Sequence, residues 1–136
     1  MNAFKNKDGK SILLAMVQGI QDNKDYLGEV DGLIGDGDHG MNMNKGFTML
    51  EDRFLDKEIG FKQGLDELGS ILLGEIGGSM GPIYGTIFTE MAASGEGLLR
   101  ITVMDLGNML KAGLDGLYEI IDARVGDCLL YTSPSQ

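Results

Sequence analysis

Apolar residues return at three- and four-residue intervals along almost the whole chain, which predicts helices throughout. Ile12, Leu13, Met16, Val17 and Ile20 make a first stripe, with Asp8 or Ser11 available as its N-cap. After the polar run Gln21 to Asp25, a second stripe begins, made of Tyr26, Leu27, Val30, Leu33 and Ile34. Phe47, Leu50 and Phe54 mark a third helix starting near Gly40. Phe61, Leu65, Leu68, Leu72 and Ile76 follow at steps of four, three, four and four residues, a clean helix face. Pro82 opens a fifth helix, because proline suits a first turn whose N–H groups have no intrahelical partner. That helix carries Ile83, Ile87 and Met91 and ends at Ser94-Gly-Glu-Gly97. Val103, Leu106, Met109, Leu110, Leu114, Leu117 and Ile121 form the last stripe, preceded by Thr102 and Asp105 in an approximate capping box. No segment alternates with a period of two, so the expected fold is all-α.

Composition sharpens this picture at the loops. The chain has 136 residues, room for one domain with a real core. Of these, 22 are glycine, against a usual share of roughly 7%. With only two prolines and no collagen period, the excess falls in particular turns. Two stand out: Ile34-Gly-Asp-Gly-Asp-His-Gly-Met-Asn-Met43 and Gly77-Gly-Ser-Met-Gly-Pro-Ile-Tyr-Gly85. Eleven Lys and Arg against 21 Asp and Glu give a formal net charge of −10. That balance argues against nucleic acid, whose affinity comes from neutralised phosphates, and against an anionic membrane surface. The apolar run Ile12 to Val17 is too short for a membrane span or a signal-peptide core. A lone cysteine, Cys128, excludes an internal disulfide framework. A reducing, cytoplasmic setting is the expectation.

Asp31, Asp36 and Asp38 are the most informative cluster. Three carboxylates within eight residues repel one another unless something positive sits among them, and their oxygens suit hard cations such as magnesium. The alternative is a solvated acidic turn, with aspartates serving turn formation and capping. Gly35-Asp-Gly-Asp-His-Gly40 matches the dinucleotide pattern G-x-G-x-x-G, but it follows a helical stripe rather than a strand. Its aspartates would repel a pyrophosphate unless a metal ion bridged them. An EF-hand fails by count: starting from Asp36, the terminal glutamate position is Phe47. His39, the one histidine, and Asn42 can donate to a phosphate at a helix start, and either can also be purely structural. Lys45 and Arg124 could also serve phosphates, but isolated cations read most simply as solvated. In the second loop, the Gly77-Gly78 pair and the Ser79 hydroxyl suit either a phosphate cradle or a tight helix–helix connection. The nine methionines read as core filler.

The run Asp31-Gly-Leu-Ile-Gly-Asp-Gly-Asp-His-Gly-Met-Asn-Met-Asn-Lys-Gly-Phe47 resembles the nucleotide-binding L subunit of bacterial dihydroxyacetone kinase. Gly77-Gly-Ser-Met-Gly-Pro-Ile-Tyr-Gly-Thr-Ile-Phe88 resembles the same family's second loop, and the likeness runs from Lys10 to about Asp127. The resemblance implies an antiparallel eight-helix barrel with nucleotide and magnesium at one end. It implies Asp31, Asp36 and Asp38 as magnesium ligands bridging the nucleotide phosphates. His39, Gly40, Met41 and Asn42, with Gly78, Ser79 and Met80, would line the nucleotide site. In the phosphotransferase-dependent enzyme of this family, ADP is a resident cofactor. A phosphocarrier subunit charges it, and the phosphoryl group passes to dihydroxyacetone held on a separate K subunit. No nucleophilic side chain is then needed, because metal ions and donors stabilise the transfer electrostatically.

The chain departs from the family pattern in two places. Gly78-Ser-Met-Gly81 stands where relatives often have Gly-Ala-Ser-Gly, which moves a hydroxyl by one position. After Gly126-Asp127 the text becomes Cys-Leu-Leu-Tyr-Thr-Ser-Pro-Ser-Gln136, without helical pattern or charge. The expectation is therefore an L domain over residues 1–127, an incomplete barrel inactive by itself, followed by a non-native or out-of-frame tail over 128–136. Two other functions fit the residues. One is a fragment of an ATP-dependent kinase of a triose or related sugar; the other is a non-catalytic acidic helical regulator that kept the metal loop.

Overall fold

A computed structural model of the chain describes residues 3–33, 37–54, 56–76 and 80–120. Strand β1 (Ala3–Lys5) leads through a 3-10 turn (Asn6–Asp8) into helix α1 (Lys10–Asp31). Helices α2 (His39–Phe54), α3 (Phe61–Glu75) and α4 (Met80–Ser94) follow, then strand β2 (Arg100–Thr102) and helix α5 (Val103–Ile120). Five helices among the described residues make the fold all-α, as the periodicity predicts.

The helices pack mainly on their neighbours in the chain: α1 on α2, α3 on α4, and α4 on α5. The paired helices approach closely where glycine removes the Cβ. A Cβ on Gly40 would overlap the carbonyl oxygen of Lys24, one on Gly81 would overlap that of Leu72, and one on Gly113 would lie 2.9 Å from that of Ile87. Two apolar clusters fill the interior. One gathers Val17, Phe47, Leu68, Leu72 and Met80. The other gathers Leu13, Phe61, Leu65, Ile101 and Met109 towards the opposite end. Four of the methionines, Met43, Met80, Met91 and Met109, are buried in these clusters, as core filler should be. Every residue of the clean α3 stripe is buried, including its C-cap Ile76.

The structure alters the sequence reading at four points. The first two stripes belong to one helix, α1, which runs unbroken through Gln21 to Asp25. Asp22 to Asp25 are exposed, with Gln18 Nε2 donating to Asp22 Oδ1 (2.7 Å) and Asn23 Nδ2 to the Gly19 carbonyl (2.8 Å). Gln21 Nε2 reaches Thr48 Oγ1 (3.3 Å) and Glu51 Oε1 (3.4 Å) of α2. The N-cap of α1 is Gly9, with no side-chain cap, rather than Asp8 or Ser11. Helix α4 begins at Met80, two residues before Pro82, so the proline sits inside the first turn, where a missing N–H still costs nothing. Finally, β1 and β2 pair antiparallel, with Phe4 opposite Ile101. Strands of three residues are too short to show a period of two. The capping box at α5 is present in full: Asp105 N–H donates to Thr102 Oγ1 and Thr102 N–H to Asp105 Oδ2, both at 3.0 Å.

Candidate functional site

The last turn of α1 carries Asp31 on the same face as Leu13 and Val17, so its carboxylate is drawn inward with the apolar stripe and is only 4% exposed. Burying a carboxylate is unfavourable unless something compensates it. The backbone supplies one bond: Gly37 N–H donates to Asp31 Oδ2 at 3.0 Å. Gly37 can turn back in this way because it holds φ = +80°, a conformation that side chains resist.

Helix α2 starts immediately beyond, where the Asp38 carbonyl accepts from Asn42 N–H at 3.0 Å. Its first residue, His39, is 8% exposed and packs edge-on against Tyr84 of α4, with ring centres 5.8 Å apart. Burial pushes the imidazole below its ordinary pKa of 6.5, against the opposing pull of Asp31 and then Asp38. The ring is therefore neutral at pH 7, with one nitrogen donating and the other accepting. Its Nδ1 is buried and meets no hydrogen-bond partner among the described residues. Tyr84 is itself buried enough that its hydroxyl pKa is raised.

The structure thus brings Asp31, Asp38, His39 and Asn42 together where α1 ends and α2 begins. Gly40 serves the same junction by letting the two backbones touch. Met41 is exposed on the outside of the first turn, while the Met80 side chain is committed to the core beside Leu72. Asp36, Gly78 and Ser79 lie outside the described residues, so the expected three-aspartate metal set is described at Asp31 and Asp38 only. No three His, Cys, Asp or Glu side chains among the described residues are close enough to hold a metal ion. Tyr84 is the residue that the sequence reading left without a role. The signal for it was its place four residues after Met80, which puts both on one face of α4.

The donor set suits a cation bound to phosphates. Among the described residues the buried Asp31 carboxylate makes no ion pair with a lysine or arginine, which leaves a hard ion as the group to balance it. The His39 Nδ1, without a partner among the described residues, sits in the first turn of α2 at the same junction. No helix of the described residues is long and apolar enough to cross a membrane.

The DAK2 domain family model matches residues 33–134. The chain is 38% identical over 106 residues to the ADP-binding subunit DhaL of the PEP-dependent dihydroxyacetone kinase of Escherichia coli, covering 76% of this chain and 50% of that protein. It is 35% identical over 99 residues to the corresponding subunit of kinase 1 of Listeria innocua, covering 72% and 50%. It is 30% identical over 110 residues to the D-erythrulose kinase of Mycolicibacterium smegmatis, covering 79% of this chain and 18% of that enzyme. The chain spans about half the length of the DhaL proteins it matches.

Proposed function

This chain belongs to the DAK2 domain family, and from that premise we propose that it is the ADP-binding part of a dihydroxyacetone kinase of the phosphotransferase-dependent kind. In this reading a phosphoryl group passes from a phosphocarrier subunit through ADP and magnesium to dihydroxyacetone on a K subunit. The observation that carries it is the buried Asp31 carboxylate, with Asp38, in electrostatic reach of a neutral His39 whose buried Nδ1 meets no hydrogen-bond partner among the described residues.

Asp31, Asp36 and Asp38 would hold magnesium; ADP with its metal would supply the site that accepts and releases the phosphoryl group. The protein's own part is placement and charge. Gly37 N–H fixes the Asp31 carboxylate, so its oxygens are oriented before a ligand arrives. Gly40 holds the start of α2 against α1, which sets the distance between Asp38 and Asp31. His39 is held neutral, so a nitrogen can donate to a phosphate oxygen without repelling the metal. Asn42 in the first turn of α2 adds amide donors. None of these groups is consumed, as expected when transfer depends on positioning and electrostatics.

Calorimetry of magnesium-dependent ADP binding tests the reading. Asp38→Asn should weaken it far more than Asp56→Asn, because asparagine keeps the size but removes the charge that offsets the cation. Equal small effects at both positions would return the cluster to a solvated turn. The likeness to D-erythrulose kinase favours a second reading, direct transfer from ATP to a small ketose. Product formation from ATP and D-erythrulose without a phosphocarrier would select it.

A further inference from the structure

At the end of the helices far from Asp31, β1, the 3-10 turn, the start of α3 and the segment before β2 line an open cleft of about 730 Å³. Small-molecule sites typically measure roughly 300–1,000 Å³. Its lining includes Lys5, Lys7, Lys62 and Arg100 and no acidic side chain. Four of the chain's 11 cations therefore meet at one place in a protein of net charge −10.

The strand register concentrates them further. Phe4 and Ile101 face each other into the core, where Phe4 packs edge-on against Phe61 at 5.2 Å. The next pair in register, Lys5 opposite Arg100, therefore projects to the other side of the ribbon. Like charges directly opposite on paired strands destabilise the pairing. Among the described residues an acidic partner reaches only Lys62, through Glu96 at 2.8 Å. The other three are left uncompensated.

The frame beneath them is fixed. Asn6 donates its backbone N–H to the Leu99 carbonyl (2.8 Å) and its side-chain amide to the Leu98 carbonyl (2.8 Å). Its Oδ1 accepts from Lys62 N–H at 2.9 Å. One side chain thereby ties the 3-10 turn, the first turn of α3 and the approach to β2 into a single rigid floor. Leu99, also in the lining, is left largely exposed and gives that floor an apolar surface.

We propose that this cleft binds a small phosphorylated metabolite, its phosphates set between Lys5, Lys7 and Arg100 and its carbon skeleton against Leu99. The size of the cleft favours a compact polyanion, which touches only the local cations, over an acidic protein, whose larger footprint would also meet the acidic remainder of the surface. The site is independent of the ADP reading and lies at the opposite end of the molecule.

The test is a ¹⁵N-resolved titration of the full chain with inorganic pyrophosphate in EDTA, which removes metal-dependent binding at the Asp31 end. Amide shifts should cluster at Gly60, Lys62, Leu99 and Arg100. The Lys5→Gln/Arg100→Gln double variant should weaken binding by about tenfold or more, the loss expected for charge-assisted bonds. Both side chains are exposed and their repulsion is removed, so the variant should melt no lower than wild type. Lys7→Gln alone should show a smaller loss in the same direction. Shifts centred on Gly37 to Asn42, or binding unchanged in the double variant, would overturn the proposal. So would tighter binding of hexaglutamate than of pyrophosphate, which would point to a protein partner instead.

Discussion

Helices α3 and α5 present equally regular apolar faces in the sequence, yet they meet different surroundings. In α3, Leu65, Leu68 and Leu72 are 0% exposed, enclosed by α2 on one side and α4 on the other. In α5, Met109 and Leu117 are buried against the rest of the fold, while Val103 is 70%, Leu110 53% and Leu114 38% exposed. A stripe therefore reports which side chains gain from burial, and says nothing of whether a partner is present. Helix α3 fits a single broad stripe; α5 carries two, and among the described residues one of them is covered.

The sharpest way to break this contrast is to truncate one leucine on each helix. Leu68→Ala should cost about 2–5 kcal/mol, as buried leucines do when a cavity is left. Leu110→Ala should stay within about 0.5 kcal/mol, the range for surface changes. Urea unfolding followed by circular dichroism reads both. Equal losses would mean that something covers Leu110 in solution, and the two helices would no longer differ.

Backbone contact gives a second comparison. Gly40→Ala should destabilise by about 1–3 kcal/mol, because the new methyl meets the carbonyl of Lys24 and neither backbone can yield. Gly107→Ala, on the open side of α5 with nothing within 4 Å, should instead stabilise by about 0.4–1 kcal/mol through lower unfolded-state entropy. Thermal melts of the pair would show shifts of opposite sign.

Helix α5 has a local support that α3 lacks, since the N-cap of α3 is Gly60 without a side-chain bond. Thr102→Ala should cost about 1 kcal/mol by removing the hydroxyl that caps Asp105 N–H. The smallest effect on folding belongs to Leu110→Lys with Leu114→Lys, which should leave the melting temperature within a degree or two of wild type while raising solubility. Sedimentation at increasing concentration would register any self-association that the open face causes.

What the sequence disclosed was what depends on near neighbours. The α3 stripe, the Thr102–Asp105 box and the stop at Ser94 involve contacts within a few residues, and each was readable as such. The continuity of α1 was hidden because its inner face near Lys24 and Gly28 is filled by the backbone of α2 rather than by apolar side chains. The β1–β2 pairing was hidden because it joins distant residues over three positions. At the site, Asp31, Asp38 and His39 were visible as a cluster of charge and glycine, and the family resemblance gave them a purpose. The placement of His39 against Tyr84 was not visible, since it needs α2 and α4 to converge through the fold.

The pairing of Phe4 with Ile101 also bears on the order in which the molecule assembles. Neighbouring helices can zip into hairpins early, since each closes only a short loop. The two strands must instead bring together positions 97 residues apart (101 − 4), and three pairs of residues return little for that closure entropy. The ribbon is thus a latch that shuts last, and once shut it is held by the buried Ile101 and the bonds of Asn6. In refolding, amide protection at Phe4 and Ile101 should accordingly appear after that of the interior of α3.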